Sequence, residues 1–112
     1  MQIIDTHTHL YLEQFKEDID VVISRAISSG IDKFIFPAID SSYIKEMKNL
    51  KMKYPSNIEL MTGLHPVSVK EDFQKELDIV VNSLIDYNYV AIGEIGIDLY
   101  WDKSFLKQQQ EV

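Results

Sequence analysis

Gln2-Ile3-Ile4-Asp5-Thr6-His7-Thr8-His9 changes character part-way along: a short apolar pair reads as the end of a buried strand, and two histidines spaced by one residue follow it. Side chains two apart on an extended chain point the same way, so continuing the strand aims both imidazoles at one place. Neutral imidazole nitrogen is a ligand for zinc, manganese and iron. A bare His-x-His is a weak signal by itself, and the rest of the chain decides what it means.

Working outward, three more short apolar segments follow: Lys33-Phe34-Ile35-Phe36, Ile58-Glu59-Leu60-Met61-Thr62 and Val90-Ala91-Ile92-Gly93. Amphipathic stretches separate them. Ile19, Val22, Ile23, Ala26 and Ile27 keep helical spacing; Ile44, Met47, Leu50 and Tyr54 form a looser stripe that Pro55 should end; Phe73, Leu77, Val80, Val81, Leu84 and Ile85 form a third. These stripes are expected to be core faces, and Met47, Met52 and Met61 need no cofactor to explain them. Gly30 suits the residue just past the first helix, and Ser41 or Ser42 suits the cap of the second. The order βαβαβαβ, with one helix per connection, demands a parallel sheet. A further helix begins in the segment from Lys103 to Val112. With no linker, repeat or low-complexity stretch, residues 1–112 read as one domain or part of one.

The chain has 18 acidic and 11 basic residues, a net charge of -7, which opposes the broad basic surface of a sequence-independent duplex binder. It leaves open an enzyme that meets a polyanion through bound cations. The absence of cysteine excludes disulfides, thiolate metal sites and thiol nucleophiles. No apolar run is long enough to span a bilayer and the N-terminus lacks the pattern of a signal peptide, so a cytoplasmic location without membrane partners is the expectation.

In parallel α/β folds the reactive groups gather at the carboxyl ends of strands. His7 and His9 follow the first strand, His65 follows the third in Gly63-Leu64-His65-Pro66, and Glu94 follows the fourth in Gly93-Glu94-Ile95-Gly96-Ile97-Asp98. Glu94 is the carboxylate that matters most, because an ionised group at the end of a buried strand needs a metal or another cation beside it. Its flanking glycines allow close backbone approach, and its two oxygens suit it to bridging two ions. Asp98 and Asp40 are weaker candidates. Asp5 is either an acceptor that orients a ligating histidine or a turn residue. Tyr100, Trp101 and Phe105 either line the mouth of a site or pack beside the last loop.

The blocks Asp5-Thr6-His7-Thr8-His9-Leu10, Gly63-Leu64-His65-Pro66 and Gly93-Glu94-Ile95-Gly96-Ile97-Asp98-Leu99-Tyr100 resemble the signatures of TatD-type metal-dependent deoxyribonucleases, and Lys107 to Val112 resembles the helix after the last block. The resemblance covers the whole chain. It implies an α/β fold, the N-terminal half, about four βα units, of a (β/α)8 TIM-type barrel. It implies two divalent metal ions (zinc, manganese or magnesium), with His7 and His9 holding one, Glu94 bridging both and serving catalysis, and His65 contacting substrate phosphate at the rim. The expected activity is hydrolysis of DNA phosphodiesters by metal-activated water.

Such a barrel needs about 250 residues. The further two histidines and aspartate that the family draws from its second half have no counterpart here. By itself this chain is therefore expected to have low or no activity and to self-associate. The alternatives are an incomplete half-barrel serving as an assembly module and an amidohydrolase acting on a small molecule.

Overall fold

A computed structural model describes residues 1–112. Four strands alternate with helices: β1 (Ile3–Asp5), α1 (Ile19–Ser28), β2 (Ile31–Phe36), α2 (Ile44–Lys53), β3 (Ile58–Thr62), α3 (Phe73–Asp86), β4 (Ala91–Ile92) and α4 (Leu106–Glu111). All pairings are parallel and the sheet order is β1-β2-β3-β4, with Ile4 opposite Lys33, Phe34 opposite Ile58 and Met61 opposite Ala91. This is the expected half of a TIM-type barrel.

Alternation along β2 and β3 sends Phe34, Phe36, Ile58 and Leu60 to one face, where they are buried against Ile23 of α1 and Met47 and Leu50 of α2. Lys33, Ile35, Glu59 and Met61 alternate with them and are only partly covered. At the amino end of the sheet, the Glu59 carboxylate takes Lys51 at 3.0 Å and Lys33 at 3.6 Å.

Gly30 follows α1 with φ 103°, the left-handed conformation expected of it. The α2 cap is different. Ser41–Tyr43 form a 3-10 turn ahead of α2, and Asp40 caps that turn by accepting from the Ser42 N–H at 2.9 Å. Asp40 is the better acceptor because its carboxylate also takes the Ser42 hydroxyl, so the serines are donors in this turn. α4 starts three residues later than Lys103 because the Asp102 carboxylate accepts from Ser104 N–H at 2.8 Å and holds a turn there.

Two further expectations are corrected. β1 and β4 are edge strands, so Ile3, Ile4 and Ile92 are exposed rather than buried. The α3 stripe is likewise not a sealed core face: Val81, Leu84 and Ile85 are exposed. α3 packs on β3 and on the Ser41–Tyr43 turn, and no strand follows β4 in the sheet to extend that cover. Met52 is also exposed, whereas Met47 is core.

Candidate metal centre

A flat sheet in this order would hold β1 and β4 about 14 Å apart, three strand spacings. Here the sheet curls, and groups from its two edges meet. β1 ends at Asp5 and the chain bends at His7 rather than running on as a strand, but Thr8 N–H donates to the Ile35 carbonyl at 3.2 Å and so ties the histidine segment to the end of β2. His7 and His9 project together, their Nε2 atoms 3.1 Å apart and their rings edge to face. Glu94 Oε2, arriving from β4, lies 3.3 Å from His7 Nε2 and 3.1 Å from His9 Nε2.

Those separations test whether an ion fits. Ligand bonds of about 2.0–2.2 Å place neighbouring donor atoms roughly 3.0–3.5 Å apart around a tetrahedral or octahedral ion. Two imidazoles and a carboxylate at 3.1–3.3 Å match that spacing, and they are the group of potential ligands that the fold brings together. Burial pushes the His9 imidazole below its ordinary pKa; Glu94 opposes this, while His7 and His65 reinforce it. The ring is thus held toward the neutral form that binds metal.

His65 joins the cluster from β3, with Nε2 3.4 Å from Glu94 Oε1. Its other nitrogen accepts from Val67 N–H at 3.1 Å. His9, Ile39, His65, Val67, Ser68 and Glu94 line an open depression of about 210 Å³ beside the cluster.

What holds these strand ends together is the segment after β2, which the sequence reading did not single out. Three successive carbonyls each take a hydrogen bond from a different limb of the site. Pro37 O accepts from Tyr11 O–H at 2.5 Å, Ala38 O from Glu94 N–H at 3.0 Å, and Ile39 O from His65 N–H at 2.8 Å. Ala38 N–H also donates to Gly93 O at 2.8 Å. Residues 37–39 and 93–94 thereby close over the end of β3, which explains Gly63: a Cβ there would stand 2.7 Å from Glu94 O and 2.8 Å from Gly93 C.

The lesser candidates lie outside the cluster. Asp5 accepts from the His7 backbone N–H at 3.2 Å, so it shapes the turn; the atom beside a ligand ring is the Tyr11 hydroxyl, 2.8 Å from His9 Nδ1. Tyr11 was legible only as an apolar-looking residue two positions past His9. Asp98 accepts from Tyr100 N–H at 2.9 Å and Asp40 caps its turn, both structural tasks. Tyr100 and Trp101 are exposed, and Trp101 and Phe105 border a small cleft with Pro66 and Gln109, away from the histidines.

A sequence profile described as TatD related DNase matches residues 4–112. The chain belongs to the TatD-related DNase family. It is 32% identical over 110 residues to the uncharacterized metal-dependent hydrolase YabD of Bacillus subtilis, covering 98% of this chain and 43% of that protein. It is 28% identical over 104 residues to human deoxyribonuclease TATDN3, covering 86% and 38%. The crystal structure of YJJV, a TatD homolog from Escherichia coli, superposes with a TM-score of 0.86 at 30% identity, over 97% of this chain and 42% of that one. This TatD-related chain thus spans less than half the length of these relatives, and its strands correspond to the N-terminal portion of the TatD barrel. No helix is long and apolar enough to cross a membrane.

Proposed function

We propose that this chain carries part of the active centre of a metal-dependent hydrolase whose substrate is the DNA phosphodiester. The observation that carries the reading is the meeting of His7, His9 and Glu94 from opposite edges of the sheet, at separations that suit a metal's coordination sphere. A divalent ion held there would polarise phosphoryl oxygens and lower the pKa of a bound water.

The chain's own groups have distinct tasks in this reading. His7 and His9 offer Nε2, and Glu94 offers Oε2 to the same ion. Its Oε1 faces His65 rather than the other histidines, which supports a bridging role toward a second ion. Zinc, manganese and magnesium are the candidates. His65 accepts Val67 N–H on Nδ1, so its neutral ring carries the proton on Nε2. That N–H lies 3.4 Å from Glu94 Oε1 on a residue that lines the depression, and it suits a phosphate oxygen. The names of relatives such as deoxyribonuclease TATDN3 support DNA as the substrate class.

Zinc titration by calorimetry tests the centre. Weak binding is expected, because other ligand positions fall to water, and His7→Ala and Glu94→Ala should each reduce it by at least about tenfold. Unchanged affinity in both variants would remove the assignment. For the reaction, manganese-dependent release from a chromogenic phosphodiester is compared with release from amides and lactones. Slow phosphodiester cleavage that disappears in Glu94→Gln is expected. Cleavage of amides alone would move the protein to the small-molecule amidohydrolases.

A further inference from the structure

Tyr11 is buried in the core, its ring 5.7 Å from that of Phe36 and 5.4 Å from that of Tyr43, yet its hydroxyl reaches the functional cluster. The hydroxyl oxygen lies 2.5 Å from the Pro37 carbonyl and 2.8 Å from His9 Nδ1. A carbonyl can only accept, so the single phenolic proton is committed to Pro37 O. The contact with His9 is then a bond in the other direction, from Nδ1–H to the phenolic oxygen. In a neutral imidazole one nitrogen is donor and the other acceptor, so His9 Nε2 is left with a bare lone pair. That lone pair faces the Glu94 carboxylate at 3.1 Å, an acceptor meeting an acceptor, which a cation between them resolves.

We infer that Tyr11 is a positioning residue that locks His9 in the Nδ1–H form and so presents Nε2 as a ligand. The partner that orients a ligating histidine is commonly a carboxylate, backbone carbonyl or water; here a phenol supplies the acceptor and a backbone carbonyl fixes the phenol. The rigid core around its ring transmits that fixity to the site. His7 has no comparable partner on Nδ1 and is more exposed, its side chain at 54% against 24% for His9. His65 is set in the opposite tautomer by Val67. The role in metal binding rests on the metal-centre reading above; the tautomer does not.

Long-range ¹H–¹⁵N correlation spectra of the metal-free protein, recorded above the histidine titration range, read each tautomer directly. Wild type should show His9 protonated on Nδ1 and His65 protonated on Nε2. In Tyr11→Phe, which keeps the ring in the core, His9 should gain the Nε2–H form while His65 stays unchanged and reports an intact fold. Zinc affinity should fall about 10–100-fold in that variant, as for other partners that orient a ligand. His9 protonated on Nε2 in the wild type overturns the inference without recourse to any variant. So does a Tyr11→Phe protein with unaltered His9 signals, or one with altered signals and wild-type zinc affinity. If the wild type shows the assigned tautomer and binds no zinc, the tautomer assignment stands and the metal-centre reading falls.

Discussion

His9 and His65 stand at similar distances from Glu94, 3.1 and 3.4 Å, yet their inward nitrogens are prepared for opposite tasks. One is prepared as a lone pair and the other as an N–H. His65→Ala should therefore retain zinc near the wild-type level and lower phosphodiester turnover, by about 10²–10³-fold if the lost N–H serves the transition state. Elemental analysis beside a cleavage assay checks this, and loss of metal would mean that His65 is a ligand. Gly63 sits under the same groups and tolerates no side chain, because the atoms in the way are backbone. Gly63→Ala should destabilise the chain by about 1–3 kcal/mol and displace Glu94, so zinc affinity should fall together with the denaturation midpoint.

Between elements, single polar side chains make the ties. Gln109 of α4 is buried, donates to Pro66 O at 3.1 Å and Asp98 O at 3.0 Å, and accepts from Asp98 N–H at 3.0 Å. It fastens the loop after β4 to the loop after β3. Gln109→Ala leaves three backbone groups without these partners and should cost about 1–3 kcal/mol, with faster hydrogen exchange at Asp98. α1 and α2 are joined by Asp20, which takes Lys53 at 2.6 Å and the Tyr54 hydroxyl. The bond from Lys53, then that from Tyr54, holds the Asp20 carboxyl below its ordinary pKa, and Asp20 in turn pushes the Tyr54 phenol up to about 12. Because the folded carboxyl is the more acidic, this tie is intact above the ordinary carboxyl pKa and is lost as pH falls through the lowered folded value. NMR titration should find the Asp20 pKa raised in Tyr54→Phe; an unmoved value would show that the phenol contributes nothing.

Over the whole molecule, only 17 of 112 residues are buried, because the helices cover one face of the sheet and leave the other open. The radius of gyration, 15.0 Å, exceeds the roughly 13 Å of a compact domain this size. Ile4, Ile92, Ile95 and Ile97 are exposed, and the backbones of β1 and β4 have unpaired outer edges. Parallel sheets are almost always covered on both faces, and open edges recruit strands. We propose that the 112-residue chain self-associates through these surfaces, and the exposure of those isoleucines favours an assembly role as a second reading. Sedimentation velocity across a concentration series should show a rising weight-average coefficient; a compact monomer at every concentration would refute it.

The sequence determined the kind and order of the elements, because periodicity in Ile19–Ile27 and short, largely apolar runs such as Ile58–Thr62 are local properties that burial merely exploits. It also placed His7, His9, His65 and Glu94 at strand ends, since the chain direction of a parallel sheet fixes which ends carry side chains of consequence. It did not reveal that Ile3, Ile4 and Ile92 are exposed, because a side chain's exposure depends on what packs around its strand. Nor did it single out residues 37–39, whose contribution is through backbone carbonyls that every residue possesses. Tyr11 was hidden for the same reason: nothing in Leu10-Tyr11-Leu12 distinguishes a core ring from one whose hydroxyl ends beside a histidine. Residue type and spacing nominate the ligands. Only the curl of the sheet, which brings its two edges together, decides which atoms meet and in which protonation state they do so.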